Sequence, residues 1–238
     1  MAGHSKWSQI KHKKAKEDSK RGKAFTKLIK EITIASRMGG GDPAGNPRLR
    51  FLVDKAKEIN MPQENILRAI KRGTGELPGM SYERYVYEGY GPGNIAVLIE
   101  VLTDNKNRAI AELRTLFGKK GAILAETGSV NWLFDKLGVI RIPTQNLTED
   151  ELIERLLEYP VKDVTQEGDL FSITTDPKEL EEVKQGLVNQ HLKIESAELE
   201  WVPRQTLEIA SNVQEKAVDF LSALEDLDDV QNVYTNLA

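Results

Sequence analysis

The chain contains no cysteine, which removes disulfides, thiol nucleophiles and every metal site built on thiolates. Its three histidines, His4, His12 and His191, are scattered, so a zinc site made of histidine is not expected. No apolar run approaches the roughly 20 residues that cross a bilayer. The N-terminus is basic, yet no apolar stretch of a secretory signal follows it and it lacks the Arg- and Ser-rich composition of a mitochondrial presequence. The expected compartment is therefore the cytoplasm. A phosphate-binding Gly-rich loop, a Ser-His-Asp set and the kinase signatures are missing too. Gly89-Tyr90-Gly91-Pro92-Gly93 has the wrong spacing for a dinucleotide fingerprint and opens no helical pattern, so it reads as a turn between strands. Asp226, Asp228 and Asp229 lack EF-hand spacing and read as a solvated acidic loop rather than a cation site. With no metal, no cofactor and no catalytic set in view, the protein is expected not to be an enzyme.

What the chain does have is charge, unevenly placed. The first 30 residues hold Lys6, Lys11, Lys13, Lys14, Lys16, Lys20, Arg21, Lys23, Lys27 and Lys30 against only Glu17 and Asp18. Residues 1–76 carry 18 Lys/Arg and eight Asp/Glu, net +10, whereas the remainder carries 15 and 29, net −14. A formal net charge of −4 thus averages a basic module and an acidic body. Phosphates released from their counterions favour the first and are repelled by the second, so nucleic acid is expected to bind at the N-terminus.

Periodicity gives the organisation. Residues 24–38 place Phe25, Leu28, Ile29, Ile32 and Ala35 at helical spacing, with Lys23, Lys27, Lys30 and Arg37 on the opposite side as a cationic stripe. Gly39-Gly40-Gly41 ends this helix, and Asn46-Pro47 starts a second as N-cap and first-turn proline. A third opens at Pro62, buries Ile66, Leu67 and Ile70, displays Arg68, Lys71 and Arg72, and stops at Gly73. The result is a basic arm (1–23) and a three-helix bundle (24–76). After a linker at Gly75 to Ser81 the period changes. Residues 95–102 form a continuous apolar run suited to a central strand, followed by a helix and strand candidates at 122–125 and 130–135. Then comes a full β-α-β-β-α-β unit: strand 138–142, helix 149–157, strands 161–166 and 170–174, helix 177–189, strand 193–201. Helix 211–225 and strand 229–235 are left to close the first unit. The fold class is α+β, with two ferredoxin-like modules, 137–205 inserted in a discontinuous 82–136 and 206–238.

Several strings are longer than chance allows: Ala2-Gly3-His4-Ser5-Lys6-Trp7, Lys20 to Lys27 (KRGKAFTK), Gly39 to Arg50 (GGGDPAGNPRLR) and Asn65 to Glu76 (NILRAIKRGTGE). Tyr87 to Gly93 (YEGYGPG), Thr103-Asp104-Asn105 with Asn107-Arg108, Gly128-Ser129-Val130 and Asp228 to Asn236 (DDVQNVYTN) join them. Together they resemble the YebC/PmpR family over essentially the whole chain, with Asn94, Ala122 and Ala125 departing from its glycine-rich pattern. The resemblance implies an N-terminal helical bundle plus two α/β modules. It also implies one of two roles, a DNA-binding transcriptional regulator or a factor acting on the ribosome in translation.

The candidate nucleic-acid contacts are the ten basic residues of the first 30, joined by Arg48 and Arg50 on the second helix and Arg68, Lys71 and Arg72 on the third. Lysines attract phosphate as point charges, and arginines can also fork onto phosphate or a guanine edge. Phe25 belongs to the apolar register, whereas Trp7 can either stack on a base or anchor the arm. The Asn60-Met61-Pro62 corner fits both a helix-turn-helix and an ordinary bundle turn. Gly39 to Gly41 fits both an anion nest and a flexible turn. The acidic modules lack the aromatic pattern of RNA-binding sheets, so contact with protein or with a larger assembly such as the ribosome is expected of them. Duplex DNA and rRNA present the same phosphates and remain alternatives; oligomeric state is not legible.

Overall fold

The computed structural model describes Trp7 and residues 21–79, 81–144 and 147–238. Three helices come first: α1 (Arg21–Gly39), α2 (Pro47–Glu58) and α3 (Gln63–Gly73). Asn46 caps α2 through a bond from Leu49 N to its Oδ1 at 3.1 Å, while its Nδ2 donates to Ala35 O and Gly40 O. One buried side chain thus fixes both the start of α2 and the end of α1. Leu28, Ile32, Leu49, Val53, Met61 and Ile66 form the bundle core, with Phe25 packed against it.

Two details differ from the sequence expectation. Leu67 is half-exposed while Ala69 takes the buried position, because the buried line of α3 runs through Ile66, Ala69 and Gly73 at helical spacing. Gly73 is the last residue of α3, as expected, but it is helical rather than a left-handed cap, and it is also a contact. A Cβ there would sit 2.3 Å from Thr33 O and 2.7 Å from Ser36 Cβ, so only glycine lets α3 press against α1. The left-handed residue is Gly75, at φ +83°.

The first sheet contains β1 (Glu83–Tyr90), β2 (Ala96–Thr103), β3 (Ile123–Ala125) and β8 (Val230–Thr235), in the order β3-β1-β2-β8. Helix α4 (Lys106–Lys120) joins β2 to β3, and α7 (Ser211–Glu225) precedes β8. All neighbours are antiparallel. Strand β1 carries charge and tyrosine and was not expected; it forms because Tyr87 and Gly89 face the core while Glu83 and Arg84 stay outside. The first module therefore runs β-β-α-β, then α-β, rather than the interrupted β-α-β-β-α-β read from sequence. Residues 131–133 are a short 3₁₀ turn, and Phe134 already belongs to the second sheet. At the β1-β2 turn Asn94 adopts φ +61°, a left-handed conformation that asparagine tolerates better than other side chains.

The second sheet follows the expected β-α-β-β-α-β: β4 (Phe134–Pro143), α5 (Glu149–Leu156), β5 (Val161–Glu167), β6 (Leu170–Thr175), α6 (Leu180–Asn189) and β7 (Ser196–Pro203), ordered β5-β6-β4-β7. A capping box between Thr148 and Glu151 starts α5. Strand β2 is buried along its whole length because both its faces are covered. Val97, Ile99 and Val101 pack with Phe117 and Phe220 on one side; Ala96 and Leu98 pack with Val130, Phe134 and Tyr234 on the other.

Trp7 belongs to that first core, at 1% exposure among Ile95, Val97, Phe117, Phe220 and Leu221. Of its two sequence readings, anchoring is the one the structure adopts. The arm and the α/β body consequently share a core.

Candidate nucleic-acid interface

Lys6, Lys11, Lys13, Lys14, Lys16 and Lys20 lie outside the described residues, and Arg21 opens α1. The rest of the expected α1 stripe is engaged by neighbouring residues: Lys30 is buried and Lys27 half-buried, while Lys23 and Arg37 are bonded but stay exposed. Lys23 Nζ donates to Asp226 O at 3.0 Å and to its Oδ1 at 3.2 Å. Lys27 Nζ donates to Glu225 O at 3.0 Å. Lys30 Nζ reaches Asp229 Oδ1 at 2.5 Å, Asp228 O at 2.8 Å and Leu102 O at 3.3 Å. Three ammonium groups at i, i+4 and i+7 thus grip the last turn of α7 and the acidic run after it. The orphan carbonyls and the negative end of the helix dipole lie there. Arg37, from the same stripe, donates to Ser81 Oγ at 2.9 Å.

The expected acidic loop is therefore half interior. Asp229 is 4% exposed and also accepts from Thr103 Oγ1 and Arg108 Nη2, each at 2.8 Å. Burial disfavours its charge, but the hydrogen bonds from Lys30, Arg108 and Thr103 overcome that and hold its pKa below the usual carboxylate value. Arg108 is raised further above its ordinary range by its bonds to Asp229 and Asp104. Tyr82, 5.8 Å beneath the Lys30 ammonium, has its phenol pushed up by burial and by nearby Asp104.

The bundle is tied at further points. Glu31 on α1 joins Arg48 of α2 at 2.9 Å and Arg84 of β1 at 2.7 Å, and Arg84 lies 3.8 Å from the buried Glu100. Lys55 of α2 pairs with Glu198 of β7 at 2.7 Å. Arg68 pairs with Glu64 one turn earlier. After these pairings Arg50, Lys71 and Arg72 remain exposed, with no side-chain hydrogen bond or ion pair among the described residues. They are the part of the expected contact set left open by the fold. The Asn60-Met61-Pro62 corner is real, with Asn60 at φ +59°, and Met61 is buried in the bundle core. Gly41 lies against Ile70 and Thr74, so the glycine turn packs on the end of α3.

A second junction lies at the far end of β1. The buried Glu88 carboxylate accepts from Gly128 N at 2.8 Å, Val130 N at 2.7 Å and Asn131 N at 3.0 Å. Tyr90 Oη and Trp132 Nε1 both donate to Ser129 O at 3.1 Å. This binds the Tyr87–Gly93 string to the Gly128–Val130 string, and it leaves the Trp132 indole 61% exposed on a fixed turn.

Sequence reasoning missed Glu31, Arg84, Thr103, Arg108 and Asp229 as partners of the basic module. Periodicity assigns a lysine to the side away from the core, but it cannot say whether water or an acidic neighbour stands there. Among the described residues no group of His, Asp and Glu is arranged to hold a metal, and no helix is long and apolar enough to cross a membrane.

Known proteins agree with this architecture. Residues 5–76 match the TACO1/YebC N-terminal domain, and residues 82–237 match the TACO1/YebC second and third domain. A probable transcriptional regulatory protein of Desulforapulum autotrophicum is 52% identical over 236 residues, covering 99% of this chain and 96% of the relative. One from Persephonella marina is 52% identical over 238 residues, covering 99% and 95%. The crystal structure of a conserved hypothetical protein, Aq1575, from Aquifex aeolicus superposes with a TM-score of 0.86 at 45% identity. That match covers 94% of this chain and 93% of the other.

Proposed function

The chain belongs to the TACO1/YebC family, and we propose that it is a non-enzymatic regulator that binds duplex DNA through its basic N-terminal module. The observation that carries this reading is the surplus of cations after the fold has used its share. Residues 1–76 hold 18 Lys/Arg against eight Asp/Glu, and Arg50, Lys71 and Arg72 stay exposed and unpaired among the described residues. The naming of relatives as probable transcriptional regulatory proteins supports a role in gene control. Lys23, Lys27 and Lys30 serve in this reading as the joint between bundle and body. The phosphate contacts come from the arm residues Lys6, Lys11, Lys13, Lys14, Lys16 and Lys20 together with Arg50, Lys71 and Arg72, and the exposed guanidinium groups of Arg48 and Arg68 join them by exchanging their carboxylate partners for phosphate.

Crosslinking in cells, followed by sequencing of both DNA and RNA, tests the proposal. Enrichment at discrete promoters supports it. Crosslinks confined to rRNA, with co-sedimentation on ribosomes, replace it with the translational role.

A further inference from the structure

The acceptors that hold Lys23, Lys27 and Lys30 are the kind a nucleic acid offers. Asp226 O and Oδ1, Glu225 O, Asp228 O and Asp229 Oδ1 form a run of anionic and partly negative oxygens along one edge, set against one face of α1. The grip is graded. The Lys23–Asp226 pair is half exposed, at 45% and 56% side-chain exposure, whereas Lys30–Asp229 is enclosed at 7% and 6%. Water and salt weaken the outer contact, and the inner one is protected from both. Trp7, in the core of the same module, is a second point besides the α1 lysines at which the N-terminal region meets the α/β body.

We propose that residues Glu225–Asp229 act as an internal occupant of the polyanion face of α1. A nucleic-acid backbone displaces them from Lys23 and Lys27 while Lys30–Asp229 stays closed as the pivot. This rests on the nucleic-acid reading above and adds a gate to it. The closed form occupies two of the module's cations, and binding frees them for phosphate. The effect on affinity follows from linkage: the fraction of molecules with the outer contacts open multiplies the intrinsic binding constant. Weakening the internal competitor therefore tightens binding.

The test uses the intact chain, a 20-base-pair DNA duplex of mixed sequence and an RNA hairpin, at fixed low salt. Asp226→Asn removes the outer carboxylate without adding charge; Asp150→Asn, on the exposed start of α5, removes an equal charge away from the gate. The proposal expects Asp226→Asn to bind either nucleic acid at least 3-fold more tightly and Asp150→Asn to change affinity by less than 1.5-fold. Because the chain has no cysteine, Thr26→Cys with Glu215→Cys places spin labels on α1 and α7 alone. Their separation should lengthen when duplex is added. An unchanged separation in a duplex-bound protein, or equal affinities of the two Asn variants, overturns the gate and leaves the binding function standing. A chain that binds neither nucleic acid overturns both.

Discussion

Lys30 Nζ sits 2.5 Å from Asp229 Oδ1 across 199 residues of sequence, with both side chains enclosed. Around that pair the strings Thr103-Asp104-Asn105, Asn107-Arg108 and Asp228 to Asn236 meet α1 of the bundle. An enclosed ion pair gains little over an apolar one, but losing one partner is costly because the other is left buried and charged. Lys30 and Arg108 both depend on Asp229.

Asp229→Asn is accordingly expected to lower stability by about 3 kcal/mol at neutral pH. The pH dependence has a defined sign. The folded carboxylate titrates below its unfolded value, so its contribution is present above the unfolded pKa of about 4 and fades as pH falls toward the folded pKa. Urea titrations of the intact chain and the variant should differ most at pH 7, and the difference should shrink as pH falls below about 4. A gap independent of pH contradicts the assignment.

Gly73→Ala should cost about 2 kcal/mol, since the methyl would meet Thr33 O at 2.3 Å and backbone cannot move aside as a side chain does. Gly40→Ala meets no atom within 4 Å but must hold φ +85°, so about 1 to 2 kcal/mol is expected there. Amide hydrogen exchange separates the two: only the Gly73 variant should show faster exchange in both α1 and α3.

Glu88→Gln replaces a carboxylate that accepts three backbone N–H groups. The expected loss is about 1.5 to 3 kcal/mol, the range for hydrogen bonds to a charged group. Amides of Gly128, Val130 and Asn131 should lose protection while those of the second sheet keep theirs. Uniform loss of protection would show that Glu88 acts on the whole fold rather than on the turn.

Legibility differed by element for physical reasons. The 211–225 helix and the second module were readable because their apolar residues recur at a period of 3.6 or 2. Strand β1 was missed because an alternation carried by tyrosine, glycine and charge looks polar. Which of the named cations the fold leaves open was half readable. Charge asymmetry pointed to the basic module, and the open Arg50, Lys71 and Arg72 were among the residues named. The fate of Lys23, Lys27 and Lys30 was not readable, since a partner about 200 residues away leaves no local trace. For the same reason residues 1–76 cannot simply be deleted as a test: removing Trp7 and Lys30 would open the core of the first sheet and strand Asp229.

The central claim is that surplus cations of the basic module neutralise phosphates, and the salt dependence of binding by the intact chain to a mixed-sequence duplex tests it most directly. With about six phosphates engaged, log K should fall against log salt with a slope near −5. Combining Arg50→Glu, Lys71→Glu and Arg72→Glu, all on exposed positions, should flatten the slope by about 3 while leaving the melting temperature unchanged. A slope near zero, or one that the triple variant does not alter, would contradict the account.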